Sequence, residues 1–129
     1  MTGDAYVRAV TLVDVIDGDT FRCDVDLGFY VRVRMSCRLA GINTAEHNQP
    51  GGPEARAELA RLLSLGPVTV RSVRADKYAG RFDAAVTVMA QQPGERGLIE
   101  VAPWLIDHGL AVPWNGTGPR PAVPWPPTT

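Results

Sequence analysis

The sequence contains little lysine, little cysteine and no surplus of positive charge. Its 129 residues include 13 basic and 14 acidic side chains, so the net charge is −1, and Lys77 is the sole lysine. A protein that coats nucleic acid non-specifically depends on many phosphate contacts, and this balance argues against that class. The two cysteines, Cys23 and Cys37, lack metal-ligand spacing and fall on the apolar side of alternating segments. We predict that both are buried free thiols.

The sequence also lacks a long apolar run. No stretch approaches the ~20 apolar residues that a membrane helix needs, and residues 1–4 lack the basic and apolar regions of a secretory signal. We therefore expect a cytoplasmic protein with no membrane partner, unless a leader has been removed. With 45% hydrophobic and 21% charged residues, the chain is not intrinsically disordered. Its length suits one domain, and we expect a monomer.

Alternating apolar and polar residues predict five strands, the first three of them in a meander. Asp24 and Asp26 should face Arg32 and Arg34 across its second hairpin, as cross-strand pairs on the outer face. A leucine stripe behind Pro53 predicts one long helix, and Pro103 begins a short one. This order predicts a mainly β protein with a five-stranded oligonucleotide-binding (OB-fold) barrel and two helices. The strands are expected at 6–16, 21–26, 31–39, 68–74 and 82–89, a turn at 92–97 with an extended segment at 98–101, and the helices at 53–65 and 103–108.

The end of the chain has a different composition. We divide the sequence into a domain at 1–115 and a tail at 116–129 that is rich in Pro, Gly, Trp and Thr. Its prolines exclude a helix or a central strand. Two alternatives remain, a polyproline ligand for a partner protein or an extended tail lying on the domain.

Polar side chains gather at one end of the predicted meander. The turn after the first strand and the end of the third strand lie at the same end of the sheet. Carboxylate and amide oxygens suit a hard cation such as Ca²⁺, an arginine beside them suits a phosphate, and a glutamate there could take a proton from water. Each element alone is a weak signal, since Asp-Gly-Asp is more often a hairpin turn. The residues are Asp17, Asp19, Arg38, Asn43, Thr44 and Glu46.

Four segments of the chain occur in an order and spacing that resemble a known family. They read VIDGDTF at 15–21, CRLAGINTAE at 37–46, DKYAGR at 76–81 and LIDHGLA at 105–111. Together they resemble the successive signatures of the staphylococcal nuclease (thermonuclease) family, over residues 7–114. The resemblance implies the same five-stranded barrel. It also implies Ca²⁺-dependent hydrolysis of phosphodiester bonds in DNA and RNA, leaving 3′-phosphate ends.

The resemblance also implies a metal site. Asp19 matches the main carboxylate ligand, and Thr44 matches a residue that binds through its backbone carbonyl. Asp17 matches an acid that contacts the metal through water. Asn43 stands where the family has a second aspartate ligand, so one negative charge is lost and Ca²⁺ affinity should fall. Mg²⁺ or Mn²⁺ is the alternative cation.

The catalytic residues implied by the resemblance are Arg38, Arg81 and Glu46. The two arginines match those that bind the scissile phosphate and its developing charge. Glu46 matches the general base, or the residue that orients the attacking water. Ala79 is an extra residue in the turn before Arg81, which Gly80 can absorb as a bulge.

The resemblance further implies substrate contacts at Lys77, Tyr78 and Trp114, where a tyrosine or tryptophan can stack on a base. His47, next to Glu46, is interpreted as a solvated loop residue. Our prediction is a metal-dependent nuclease, an endonuclease acting on DNA or RNA. The alternative is a non-catalytic OB-fold module that binds nucleic acid or protein with a degraded metal site. A third hypothesis is an adaptor whose Pro-rich tail recruits a partner.

Overall fold

A computed structural model of the chain describes residues 7–75 and 80–127. Within these ranges, eight strands and two helices are present. In chain order they are β1 (Val7–Asp17), β2 (Thr20–Asp26), β3 (Arg32–Leu39), β4 (Ile42–Thr44), α1 (Gly52–Leu63), β5 (Val68–Ala75), β6 (Arg81–Gln92), β7 (Glu95–Glu100), α2 (Val101–Asp107) and β8 (Ala111–Pro113). Neither helix of the described residues is long and apolar enough to cross a membrane.

Five of the strands close into a barrel. Strands β3, β2, β1, β5 and β6 pair in that order through antiparallel ladders. A parallel pairing between β3 and β6 then joins the two ends, with Ser36 opposite Arg81 and Arg38 opposite Asp83. We call this pairing, residues 36–39 against 81–84, the seam. The predicted five-stranded barrel with two helices is therefore confirmed.

The β2–β3 hairpin has the register that the predicted charge pairing requires, and Asp24 and Arg34 form the predicted pair. Arg34 donates to Asp24 from Nε at 2.9 Å and from Nη2 at 3.3 Å. Asp26 lies opposite Arg32 in register, but its Oδ1 accepts a hydrogen bond from the amide of Gly28 in the turn. At the tip, Phe29 and Tyr30 are fully exposed and have positive φ angles of 54° and 60°. Non-glycine residues rarely adopt this backbone conformation.

The helices bury one face each against the barrel. In α1 the buried residues include Ala55, Leu59, Leu62 and Leu63, as the predicted leucine stripe requires. Helix α2 begins at Val101, two residues before the expected start at Pro103. Proline is compatible with the first turn because the first amides of a helix have no partner within it.

The short strands and one hairpin differ from the prediction. β4 and β8 pair with each other outside the barrel, and three residues are too few for alternation to be recognised. The expected turn at 92–97 is shorter, since β6 runs to Gln92 and β7 begins at Glu95. Within β7 only Ile99 is buried, so its sequence carries no clear two-residue period.

Both cysteines are buried free thiols, as predicted. Cys23 and Cys37 are fully buried in the core between the barrel strands. Burial disfavours the thiolate, and it raises the pKa of Cys23 to about 11 and that of Cys37 further still. Neither thiol is therefore suited to nucleophilic chemistry near neutral pH.

Candidate active site

A buried polar cluster occupies the end of the barrel where β1 turns into β2. The Asp19 carboxylate, 5% exposed, accepts hydrogen bonds from the Thr20 hydroxyl at 3.0 Å and from the Thr44 amide at 3.3 Å. The turn packs closely on α1, because a Cβ on Gly18 would lie 2.5 Å from the Cβ of Ala55. The Asp-Gly-Asp sequence thus serves both as a turn and as a way to place a carboxylate inside the fold.

Arg38 completes this cluster from β3. Its guanidinium is buried, and Nη2 lies 3.6 Å from Asp19 Oδ2 and donates to the carbonyl of Ile42 at 3.1 Å. The ring of Trp114 covers the group, with 5.1 Å between the guanidinium carbon and the ring centroid. A buried charge needs such compensation from a carboxylate, carbonyls and an aromatic face. The predicted proximity of Asp19, Arg38 and Thr44 is therefore observed.

Asn43 is buried beside this cluster and contacts the tail. Its Nδ2 donates to the carbonyl of Pro121 at 2.9 Å. Its Oδ1 and the hydroxyl of Thr44 are both buried without a hydrogen-bond partner in residues 7–75 and 80–127. Unpartnered buried oxygens are uncommon in folded proteins, and an oxygen of this kind is available to a hard cation.

Glu46 lies on a cleft next to Asn43. The cleft has a volume of about 480 Å³, and its lining includes Asn43, Thr44 and Glu46 from the β4 side. The Glu46 side chain is exposed, and its backbone is fixed: its amide donates to Gln49 Oε1 at 3.0 Å. A Cβ on Gly52 would come within 1.8 Å of the Glu46 carbonyl oxygen, so only glycine allows α1 to begin this close to it.

Asp17 is paired with His47 at the exposed side of the cluster. Both the amide and the Nδ1 of His47 lie 3.0 Å from Asp17 Oδ1. His47 is exposed, as expected for a loop residue, but it is held in place by this contact. The resemblance implies that Asp17 contacts a metal ion through water, and Asp17 would have to do so while it is hydrogen-bonded to His47.

Arg38 and Arg81 are not among the residues that line the cleft of Glu46. Arg38 borders a second cavity of about 330 Å³, which is also lined by Arg74, Asp83 and Asn115. Arg81 is half-buried at the start of β6, on the seam. Lys77 and Tyr78 fall outside the described residues, so the structure places neither of them.

Asp83 and the tail also belong to this region, which their place in the sequence did not indicate. Asp83 is 5% exposed, lies opposite Arg38 on the seam and accepts from Arg74 Nε at 3.0 Å. An aspartate in an otherwise apolar strand was the available signal. The tail supplies Arg120, whose guanidinium carbon lies 5.5 Å from the Trp114 ring centroid. Its only sequence signal was composition.

The oxygen donors at this site are of the kind that a hard cation binds, but together they carry little negative charge. In the described part of the chain, no group of three or more His, Cys, Asp or Glu side chains could hold a metal ion. The expected set offers the Asp19 carboxylate, the unpartnered Asn43 oxygen and the Thr44 carbonyl. Calcium accepts such oxygens, but its affinity rises with the number of carboxylates.

The chain matches no protein-family model and no curated protein sequence. The fold and the cluster define a class only: a small OB-fold-like barrel with a buried arginine–carboxylate pair at one end.

Proposed function

We propose that this chain is a metal-dependent nuclease, similar in mechanism to the thermonucleases, that hydrolyses phosphodiester bonds in DNA or RNA. The observation that carries the proposal is the buried guanidinium of Arg38, which is oriented by Asp19, Ile42 and Trp114. A buried ion pair is often no better for stability than apolar packing of the same volume. A preorganised guanidinium at a cavity wall suits the binding of a phosphate and of the charge that develops on it.

In the proposed reaction, Glu46 orients a water molecule and accepts its proton. The water oxygen forms a bond to phosphorus, the bond from phosphorus to the 5′-oxygen breaks, and that oxygen takes a proton from solvent. The products are a 3′-phosphate and a 5′-hydroxyl. Arg38 and Arg81 bind the phosphate oxygens during this step.

Asp19, Asn43 and Thr44 would hold the cation, which we expect to be Ca²⁺, with Mg²⁺ or Mn²⁺ as alternatives. When bound, a divalent cation neutralises phosphate charge and favours ionisation of water. Lys77, Tyr78 and Trp114 remain the expected nucleotide contacts.

A second candidate is a non-catalytic OB-fold module that binds nucleic acid or protein. Two contacts favour it: Asn43 donates to the tail, and Asp17 is engaged by His47. Of the two aspartates that the cluster contains, Asp17 and Asp19, only Asp19 is then left for a cation. Binding alone, however, gives no reason for Glu46 to line the cleft beside it.

Cleavage of labelled single-stranded DNA and RNA tests the proposal. Each substrate is incubated with Ca²⁺, Mg²⁺, Mn²⁺ or a chelator. Glu46→Ala and Arg81→Ala should each lower the rate by about 10²–10⁴-fold, the usual range for a general base or a transition-state charge contact. Glu54→Ala and Arg96→Ala are matched controls, because both residues are exposed and lie outside the cluster.

Arg38 needs a more conservative substitution than alanine. Arg38→Ala would leave the buried Asp19 carboxylate without the guanidinium that it pairs with, at a cost of about 3–5 kcal/mol of stability. Arg38→Lys keeps the charge but cannot make the same pair of contacts, and it should also lower the rate. Circular dichroism is used to check that each variant is folded. Absence of cleavage with every cation would favour the binding module. Cleavage that Glu46→Ala leaves intact would show that the site is wrongly assigned.

A further inference from the structure

The tail lies across the cleft, and the domain has room for it at two glycines. The ring of Trp125 lies against Gly51, where a Cβ would come within 2.9 Å of it. Pro127 lies against Gly109, where a Cβ would come within 2.5 Å. The Pro121 carbonyl also accepts a hydrogen bond from the Asn43 side chain. The tail thus contacts the domain at Asn43, Gly51 and Gly109.

The tail leaves the cleft open instead of filling it. The volume of about 480 Å³ has Asn43 and Glu46 on its domain side, and Arg120, Pro121 and Trp125 on its tail side. A segment that blocked the site would occupy this space with its own side chains. The observed arrangement is that of an outer wall.

Arg120 is the charged residue of this wall. Trp114 donates from Nε1 to the Thr117 carbonyl at 3.0 Å, which fixes its ring. Two guanidinium groups contact that ring, the buried one of Arg38 at 5.1 Å and the exposed one of Arg120 at 5.5 Å. An aromatic contact orients the planar guanidinium while its N–H groups stay available for a phosphate.

We propose that the tail forms the outer wall of the substrate cleft and that Arg120 binds a backbone phosphate of single-stranded nucleic acid. This inference rests on the proposed function, because it takes the cleft to hold such a strand. Arg120 would contact a phosphate other than the one bound by Arg38. The Pro121 carbonyl has a second role: it holds the Asn43 amide with its nitrogen toward the tail.

Equilibrium binding separates this inference from catalysis. The probe is a fluorescein-labelled oligothymidylate of roughly 10 nucleotides, within the usual site size of an OB-fold. Its anisotropy is measured in chelator, over a range of salt concentrations, with the full chain. Arg120→Gln should weaken binding by about five- to tenfold and reduce the slope of log K against log salt by about 0.7, the value for one phosphate contact on a single strand.

Arg96→Gln is the matched control, an exposed arginine on β7 that should leave binding unchanged. Trp125→Ala loosens the wall and should also weaken binding. The inference is overturned if Arg120→Gln binds like the control, if the wild-type chain does not bind the probe, or if Trp125→Ala binds more tightly, since a blocking tail would give that last result. Failure of cleavage with these binding differences intact would overturn the proposed function alone.

Discussion

Replacement of Asn43 by aspartate tests the metal site and the tail contact together. Asn43 is 6% exposed, and its Nδ2 donates to the Pro121 carbonyl at 2.9 Å. Asn43→Asp replaces that donor with an oxygen, so two acceptors face each other in a buried place. At the same time it restores a second carboxylate to the proposed cation site.

The two effects have opposite signs. Loss of the hydrogen bond with its carbonyl left unpaired costs about 1–3 kcal/mol. For a domain of this size, roughly 4 °C per kcal/mol converts that loss into a fall of about 4–12 °C in Tm without metal. An added carboxylate ligand should tighten Ca²⁺ binding. We expect about tenfold, or about 1.4 kcal/mol.

Thermal unfolding in chelator and in Ca²⁺, together with calorimetric Ca²⁺ titration, measures both effects. Asn115→Asp is the control, because Asn115 uses its Oδ1 as an acceptor for the Thr117 amide and hydroxyl, and a carboxylate preserves both bonds. If Asn43→Asp and Asn115→Asp have the same Tm in chelator, the contact between Asn43 and Pro121 is absent in solution. Unchanged Ca²⁺ affinity would show that residue 43 is not a ligand.

Two further predictions concern stability. Tyr30 has a left-handed backbone conformation, which costs a non-glycine residue about 1–2 kcal/mol, and Tyr30→Gly removes that cost. Glycine loses more conformational entropy on folding, which offsets about 0.5–1 kcal/mol of the gain. Tm should therefore rise slightly for Tyr30→Gly, whereas Tyr30→Ala should give no gain. The hydrogen bond from Arg61 holds the pKa of Glu58 below its usual value, so this pair stabilises the fold above the unfolded-state pKa and the contribution is lost as pH falls through the folded-state pKa. Glu58→Gln should cost about 0.5–1 kcal/mol at pH 7, and urea unfolding at decreasing pH should show the difference vanish; a constant difference would contradict the ion pair.

The barrel could be predicted because its strands are buried on one side only. In β2, Phe21, Cys23 and Val25 are buried while Arg22 is exposed, which produces the period of two. β4 and β8 were not predicted, because a strand of three residues is too short to show an alternation of apolar and polar side chains. Their pairing joins segments that are remote in sequence, with Thr44 opposite Ala111, and alternation within one segment does not predict such a partner.

The cluster of Asp19, Arg38 and Thr44 could be predicted because sequence motifs fix the ends of consecutive strands. The contact between Asn43 and the tail could not. It joins residues 78 positions apart through a backbone carbonyl, a group that every residue carries and no sequence distinguishes. Asp83 was missed for a related reason, since its partner Arg74 lies across a register shift in the β5–β6 ladder.

Because of the seam, the proposed phosphate site can form only after β3 and β6 have paired. It joins β3 and β6 in parallel, so its partners, such as Ser36 and Arg81, are remote in sequence. Contacts of this kind carry a large loop-closure entropy and form slowly. Arg38 and Arg81 both belong to the seam. A chain with its meander and helices formed but its barrel still open would hold the two arginines apart, and phosphate binding would therefore report the moment at which the barrel closes.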